Sequence, residues 1–409
     1  MNSPAARLGA AALLLAGAWL AARAMDAPAP RGAGIEPPPG VSALNPAVRV
    51  RLAAKSGGDA VPLELHGRWW LRDPDAAPDA SPLLEGVDYA GLLQVDPTGL
   101  SMLPHLPGRD RLLLETQGDD ALRIGHDFYP GRLFVELLRD AAGRPDRIEL
   151  VLEVPLEEYV LGVVSGEMSA SLPGAREALA AQAVAARTYA LWRISRGRTV
   201  LQDDARDQVF RGSDYHTRVA REAVAETRGL VLAWDGALLP AYFHARCGGR
   251  TADAAAADFV KTPMPPLAGV ADPQCADPFD RWTRQVPTPR LDDFAQSSGL
   301  GGWLRGIYGQ SADATGRLLE VRVVGAEAHL DLPAEAVRAG FGLPSSQWTA
   351  LRVNPDGSLT VEGTGRGHGV GLCQRGALRL SQAGMGHVDI LAHYFPGAEL
   401  RPLAAGPQP

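Results

Sequence analysis

The stretch Val154–Arg193, VPLEEYVLGVVSGEMSASLPGAREALAAQAVAARTYALWR, reads as two helices joined by a short turn, and the rest of the chain is organised around it. Pro155 suits the first helical position, and Glu157 and Glu158 follow in the turn where the positive end of the helix dipole favours acids. Leu156, Tyr159, Val160, Val163 and Val164 then recur at the three-and-four spacing of one helical face. The next position on that face is Glu167. A carboxylate there points toward the core and sits near the helix C-terminus. Both placements favour its protonated form, which is what a general acid needs. The bland alternatives are a surface residue in a fraying last turn, or a buried ion pair with a base such as Arg187.

The second helix is expected to begin after Pro173 and to run to about Ser195. Its face of Leu179, Ala183, Ala186 and Ala190 is small enough to admit another backbone closely. Gln182, Ala186, Tyr189 and Arg193 form a neighbouring polar line with an aromatic platform.

Working outward, 409 residues of 46% hydrophobic composition suffice for two or three packed units. A net charge of -7 carries no basic excess and argues against nucleic acid as a partner. In residues 1–24, Arg7 precedes an apolar run from Leu8 to Leu20 and a small-x-small site at Ala22-Arg23-Ala24, the pattern of an export signal. The alternative is an uncleaved anchor, although the run is short for a membrane span. Either reading exports the remainder to the periplasm or cell-wall space. Residues 25–47 are rich in Pro, Ala and Gly and read as a linker.

Residues 48–150 read as β-rich, with VRVRL, LELHGRWWL, GRLFVELL and RIELVLEV as strands and 74–118 as loop-rich. Alternation turns one of Trp69 and Trp70 inward, so core packing is as good a reading of the pair as sugar binding. Residues 151–403 form a mixed α/β core, in which 290–345 is a supporting region, and 404–409 form a tail. Within that region RLLEVRVVG and AHLDLP read as strands and AEAVRAGFGL as a helix with a Gly stop. The fold class is α+β. Asp203, Asp204 and Asp207 invite a calcium reading, but the ligand order of an EF-hand is absent, and a solvated loop is the better reading.

Three cysteines, Cys247, Cys275 and Cys373, leave three readings open. A Cys247–Cys275 disulfide suits an exported chain and would contribute roughly 3 to 4 kcal/mol on the chain-entropy model. Free thiols are the second. The third is a zinc site joining the cysteines with His244 or His368. In SLTVEGTGRGHGVGLCQRGALRL, residues 358–380, glycines alternate from Gly363 to Gly371 before a helix opening near Gln374. The alternation does not match a nucleotide-binding fingerprint. It lets a backbone approach something bulky, either a glycan strand or the fold's own elements, and leaves Arg366, His368 and Gln374 to reach outward.

The string GEM-x4-P-x3-EAL-x-AQAVAARTYAL, residues 166–191, resembles the family of the sporulation stage II protein D and the amidase enhancer of cell-wall hydrolases. DQVFRG (207–212), AVAETRGLVL (223–232), AYFHARCGGRTADA (241–254), GVADPQC (269–275), GRGHGVGLCQRGA (365–377) and ILAHYFPGAEL (390–400) continue the resemblance in family order. It implies a catalytic core with a long substrate groove. It also implies a peptidoglycan lytic transglycosylase whose acid is the Glu of GEM, here Glu167, acting on glycan strands denuded of stem peptides. Gln182, Tyr189, Arg366, His368 and Gln374 would hold the glycan, and no cofactor is required. The enhancer half of the family implies a different role, a non-catalytic wall-binding protein that stimulates an amidase. Some members hold zinc with a Cys/His cluster, whose candidates here are His244, Cys247, Cys275 and Cys373. The family often has an aromatic where Arg375 stands.

Overall fold

Alternation builds the first half of the chain: Val48, Val50 and Leu52 are buried while Arg49 between them is exposed. In the computed structural model the described residues are 35–38, 47–77, 79–96, 99–102, 109–118, 121–277 and 280–404. The expected export segment, most of the linker and all but Ala404 of the tail lie outside them. Among the described residues no helix is long and apolar enough to cross a membrane.

Strands β1 (Ala47–Arg51), β2 (Ala60–Arg72), β3 (Leu84–Asp96), β4 (Gly99–Ser101), β5 (Arg111–Thr116), β6 (Leu122–Ile124), β7 (Asp127–Tyr129), β8 (Arg132–Arg139) and β9 (Pro145–Pro155) precede the helices. The loop-rich reading of 74–118 is corrected by β3, a long strand paired along β2. Its residues are mostly exposed on both faces, so there is no alternation to read. Gly86 lies opposite Trp69, where a Cβ would come within 2.6 Å of the indole ring. Trp69 is buried. Trp70 is half-buried and lines a cavity of about 620 Å³ with Arg72, Glu115, Arg132 and Glu153.

Strand β9 runs directly into α1 (Leu156–Glu167), followed by α2 (Arg176–Ser195), β10 (Leu201–Gln202), α3 (Arg218–Glu226), β11 (Leu230–Trp234) and β12 (Ala237–Leu238). Strand β10 pairs in parallel with β1 and completes a ten-stranded sheet whose main path is β10-β1-β9-β8-β5-β2-β3-β4. Helix α2 is buried without a break from Ala178 to Trp192. It is a central helix rather than an amphipathic one. Its polar residues are accordingly satisfied inside: Thr188 Oγ1 donates to Val184 O at 2.7 Å and accepts from Leu232 N at 2.9 Å.

The chain divides into two compact units, one holding the described residues up to Pro240 and from Leu400 onward, the other holding Ala241–Glu399. The second contains β13 (Phe243–His244), β14 (Arg281–Val286), α4 (Thr288–Ser297), β15 (Leu304–Ala312), β16 (Leu318–Gly325), β17 (His329–Pro333), α5 (Ala334–Phe341), β18 (Trp348–Val353), β19 (Leu359–Thr364), β20 (Leu372–Cys373), α6 (Gln374–Gln382) and α7 (His387–Tyr394). Two three-stranded antiparallel sheets, β14-β19-β18 and β15-β16-β17, share a core with α4 and α5 that includes Trp282, Phe294, Val321, Phe341 and Val361. The expected strands at 318–325 and 329–333 are present, and α5 stops at Gly342 in the left-handed conformation. Strand β21 (Glu399–Pro402) pairs with β11. The architecture is α+β.

Candidate active site

Glu167 is the last residue of α1 and is half-buried. Two glycines on one face of that helix decide what lies against it. A Cβ on Gly162 would fall 2.5 Å from the Phe210 ring and 2.6 Å from Arg211 O, and one on Gly166 would fall 2.6 Å from Val209 O. The segment 207–212 therefore lies directly on the helix. Arg211 N donates to Gly162 O at 3.2 Å, and Val209 N donates to Glu167 Oε1 at 2.8 Å, orienting the carboxylate.

The same segment is anchored from below. Asp207 is fully buried, pairs with Arg193 and Arg198 at 2.9 Å each, and accepts from Gln202 N at 2.8 Å. This corrects the solvated-loop reading for two of the three acids, since Asp203 likewise caps Ala53 N at 3.0 Å, whereas Asp204 is 44% exposed and pairs with the exposed Arg206. Phe210 stacks on Tyr159 at 5.4 Å between centroids, Tyr159 donates to Gln208 Oε1 at 3.0 Å, and Gln208 Nε2 donates to Ala186 O at 3.3 Å. Replacing Gly166 by Ala should push Val209 away from the helix at a cost of about 1–3 kcal/mol. Urea unfolding of the variant beside the wild type measures that loss.

Arg187 is not the partner of Glu167. Its Nε and Nη2 bind the two oxygens of Glu157 at 2.9 and 2.5 Å, near the opposite end of α1. Ten residues of helix place Glu157 about 15 Å from Glu167 along the axis, which removes Arg187 as the base of the expected ion pair. Gln182 is fully buried within α2, and Tyr189 is buried beside Trp192, its phenol pushed up to about 12 by burial. These two share a unit with Glu167, whereas Arg366, His368 and Gln374 belong to the other.

In that second unit Gly365, Gly367, Gly369 and Gly371 all have positive φ, which explains the strict alternation. What they admit is the fold itself. A Cβ on Gly369 would lie 2.3 Å from Arg317 Nε, and one on Gly371 would lie 2.1 Å from Tyr242 O. Arg366 is exposed and Gln374 is buried. His368 packs on Phe259 at 4.8 Å between centroids and lines a cavity of about 270 Å³ with Asp313, Arg317 and Glu335.

Val370 N donates to Nδ1 of His368 at 3.1 Å, and burial first, then the charges of Arg338 and Arg317, push its pKa down to about 3. A histidine depressed in the folded state contributes stability that is complete above its unfolded value near 6.5 and is lost as pH falls toward 3. Urea midpoints should therefore decline across that window by up to about 1.4 kcal/mol per pH unit, and less steeply in His368→Gln.

Among the described residues a buried cluster brings together Cys247, Asp272, Cys275 and Cys373, with ligand atoms all within 4.8 Å of one another. All three cysteines are free thiols in this structure. Asp272 stands in the cluster where His244 was expected. His244 is buried, held neutral by burial, and has its Nδ1 3.1 Å from Val370 O. Sequence reasoning overlooked Asp272, although the D-x-x-C spacing to Cys275 was a signal. One 3-10 turn brings the two together, with Cys275 N donating to Asp272 O at 3.0 Å. Soft thiolates with one carboxylate are a donor set that zinc accepts.

The family model described as Stage II sporulation protein matches residues 144–234, which span α1, the 207–212 segment and α3. An uncharacterized protein of Brachyspira hyodysenteriae is 29% identical over 300 residues, covering 71% of this chain and 77% of its own length. The stage II sporulation protein D of Bacillus amyloliquefaciens is 30% identical over 275 residues, covering 61% of this chain and 75% of that protein. The amidase enhancer of Bacillus subtilis is 29% identical over 289 residues, with 58% of this chain and 40% of that protein covered. By the extent of the relatives' matches, and with the family model running through the Glu167 helix and the segment laid upon it, the chain belongs to the SpoIID family.

Proposed function

We propose that this protein acts on the cell wall as a peptidoglycan lytic transglycosylase with Glu167 as its acid and base. The observation that carries the reading is the placement of Glu167 at the end of α1, with one carboxylate oxygen held by the Val209 amide at 2.8 Å. The protonated carboxyl donates to the oxygen bridging N-acetylmuramic acid and N-acetylglucosamine as that glycosidic bond breaks and C1 takes on oxocarbenium character. The 6-hydroxyl of the same muramic acid then bonds to C1, and its proton returns to Glu167. Atoms balance without water, and the product ends in a 1,6-anhydro ring. Because the nucleophile belongs to the substrate, the second carboxylate of ordinary glycosidases is not needed.

The test is incubation of the protein with denuded glycan strands and mass spectrometry of the products. Anhydro ends support the reading, and reducing ends would replace it with hydrolysis. The similarity to a protein named amidase enhancer favours one second reading, in which the chain binds glycan and stimulates a cell-wall amidase without cutting. Retained binding with no sugar ends of either kind would select it.

A further inference from the structure

We infer that Cys247, Asp272, Cys275 and Cys373 bind one zinc ion in a closed, four-ligand structural site. A zinc ion with sulfur at about 2.3 Å and oxygen at about 2.1 Å in a tetrahedron sets its ligands roughly 3.5 to 3.8 Å apart. In the cluster, the sulfurs of Cys275 and Cys373 are 3.5 Å apart and Cys247 Sγ is 3.2 Å from Asp272 Oδ2. Little rearrangement separates these thiols from a coordination sphere.

Three further features are explained by an anionic thiolate–metal site and not by a disulfide. Asp272 is fully buried, with Oδ2 accepting from the Tyr394 hydroxyl at 2.8 Å and Oδ1 left without a hydrogen bond. A desolvated carboxylate with one bare oxygen is costly unless a cation meets it. Backbone amides point at sulfur: Gly249 N at Cys247 (3.4 Å), and Cys247 N and Gly376 N at Cys373 (3.3 and 3.4 Å). Such donors favour thiolate over thiol. Arg317 is buried, 2% exposed, and donates to the carbonyls of Gly367, Arg246 and Cys247.

On binding, the three thiols release their protons to solvent. Three thiolates and a carboxylate around a dication leave a net negative site, which the neighbouring guanidinium offsets. The ligands come from the segment after β13, the 3-10 turn at Pro273–Cys275 and the N-cap of α6. The ion thus ties the glycine run ending at Gly371 to chain 126 residues away. With all four positions filled by protein the ion has no open site for substrate, so its role is to hold the fold. The inference stands independently of the reaction assigned to Glu167.

The full chain, purified without chelator, should carry one zinc by elemental mass spectrometry, with its thiols protected from alkylation until the metal is stripped. Cobalt titrated into the stripped protein should give sulfur-to-metal charge-transfer absorption and tetrahedral visible bands. Asp272→Cys should keep the metal and raise the charge-transfer intensity by about a third, as four thiolates replace three. Asp272→Ala should weaken cobalt binding at least ~10–100-fold and Tyr394→Phe by about tenfold. If the alanine variant does not fold, the cysteine and phenylalanine variants and the wild-type spectrum still decide. An unmetallated protein, whether its mass is short of two hydrogens with a Cys–Cys peptide or its three thiols are free, would overturn the inference. So would an unchanged cobalt affinity in Asp272→Ala or, should that variant not fold, in Tyr394→Phe.

Discussion

Glu167→Gln is expected to lower the release of 1,6-anhydro ends from denuded glycan by about 10²–10⁴-fold, toward the upper end because the proposed reaction uses one carboxyl as acid and then as base. The change is small in every other respect. The amide keeps the side chain's length and shape, and its carbonyl oxygen can still accept from Val209 N, the contact that orients the carboxylate at 2.8 Å. The 207–212 segment stays seated on Gly162 and Gly166, since its seat depends on the absence of their side chains and on the Asp207 ion pairs. Glycan binding by co-sedimentation should be close to wild type. Loss of binding together with lowered thermal stability would instead make Glu167 a structural residue and sink the assignment.

Arg187→Met should destabilise the protein by roughly 3–5 kcal/mol, because it strands a carboxylate in a poorly solvated place. The guanidinium is fully buried and Glu157 is only 15% exposed. Arg187 also donates to Leu230 O at 3.0 Å, and Glu157 accepts from Gly229 N at 3.2 Å, so the pair ties α1 and α2 to the start of β11. Removing both charges in Glu157→Gln with Arg187→Met should restore most of the loss, since an apolar or neutral pair of similar volume is often as stable as a buried ion pair. Urea unfolding of the two single variants and the double variant measures the coupling. Additive losses would mean that the two side chains act separately.

The Glu157–Arg187 pair also shows where sequence reading stops. Both residues are visible on their helices, yet the sequence offers Arg187 as a partner for Glu167 rather than for Glu157. Periodicity assigns a residue to a face and says nothing of which residue on a neighbouring helix comes opposite. The same limit explains α2, whose Ala-rich pattern reads as one small face but is buried on every side. It explains β3, where glycines beneath Trp69 and Tyr89 erase the alternation that marks a strand. The glycine run was legible as a place of close approach, yet only the folded chain identifies Arg317 and Tyr242 as what approaches.

By itself the sequence determined the helix pair with its first-turn acids, the position of Glu167 on the core-facing stripe, four of the ten strands of the first sheet (β1, β2, β8 and β9), and the motif order that places the chain in its family. Those features are local: they follow from periods of two and 3.6 residues, from turn chemistry and from the spacing of a few side chains. Tertiary structure decided the rest. It seated the Val209 amide on Glu167 and gave Arg187 to Glu157. It also put Asp272 rather than His244 among the three cysteines. Each of these joins residues far apart in the chain, and such pairings are chosen by packing and desolvation over the whole unit, for which no short window of sequence carries the information.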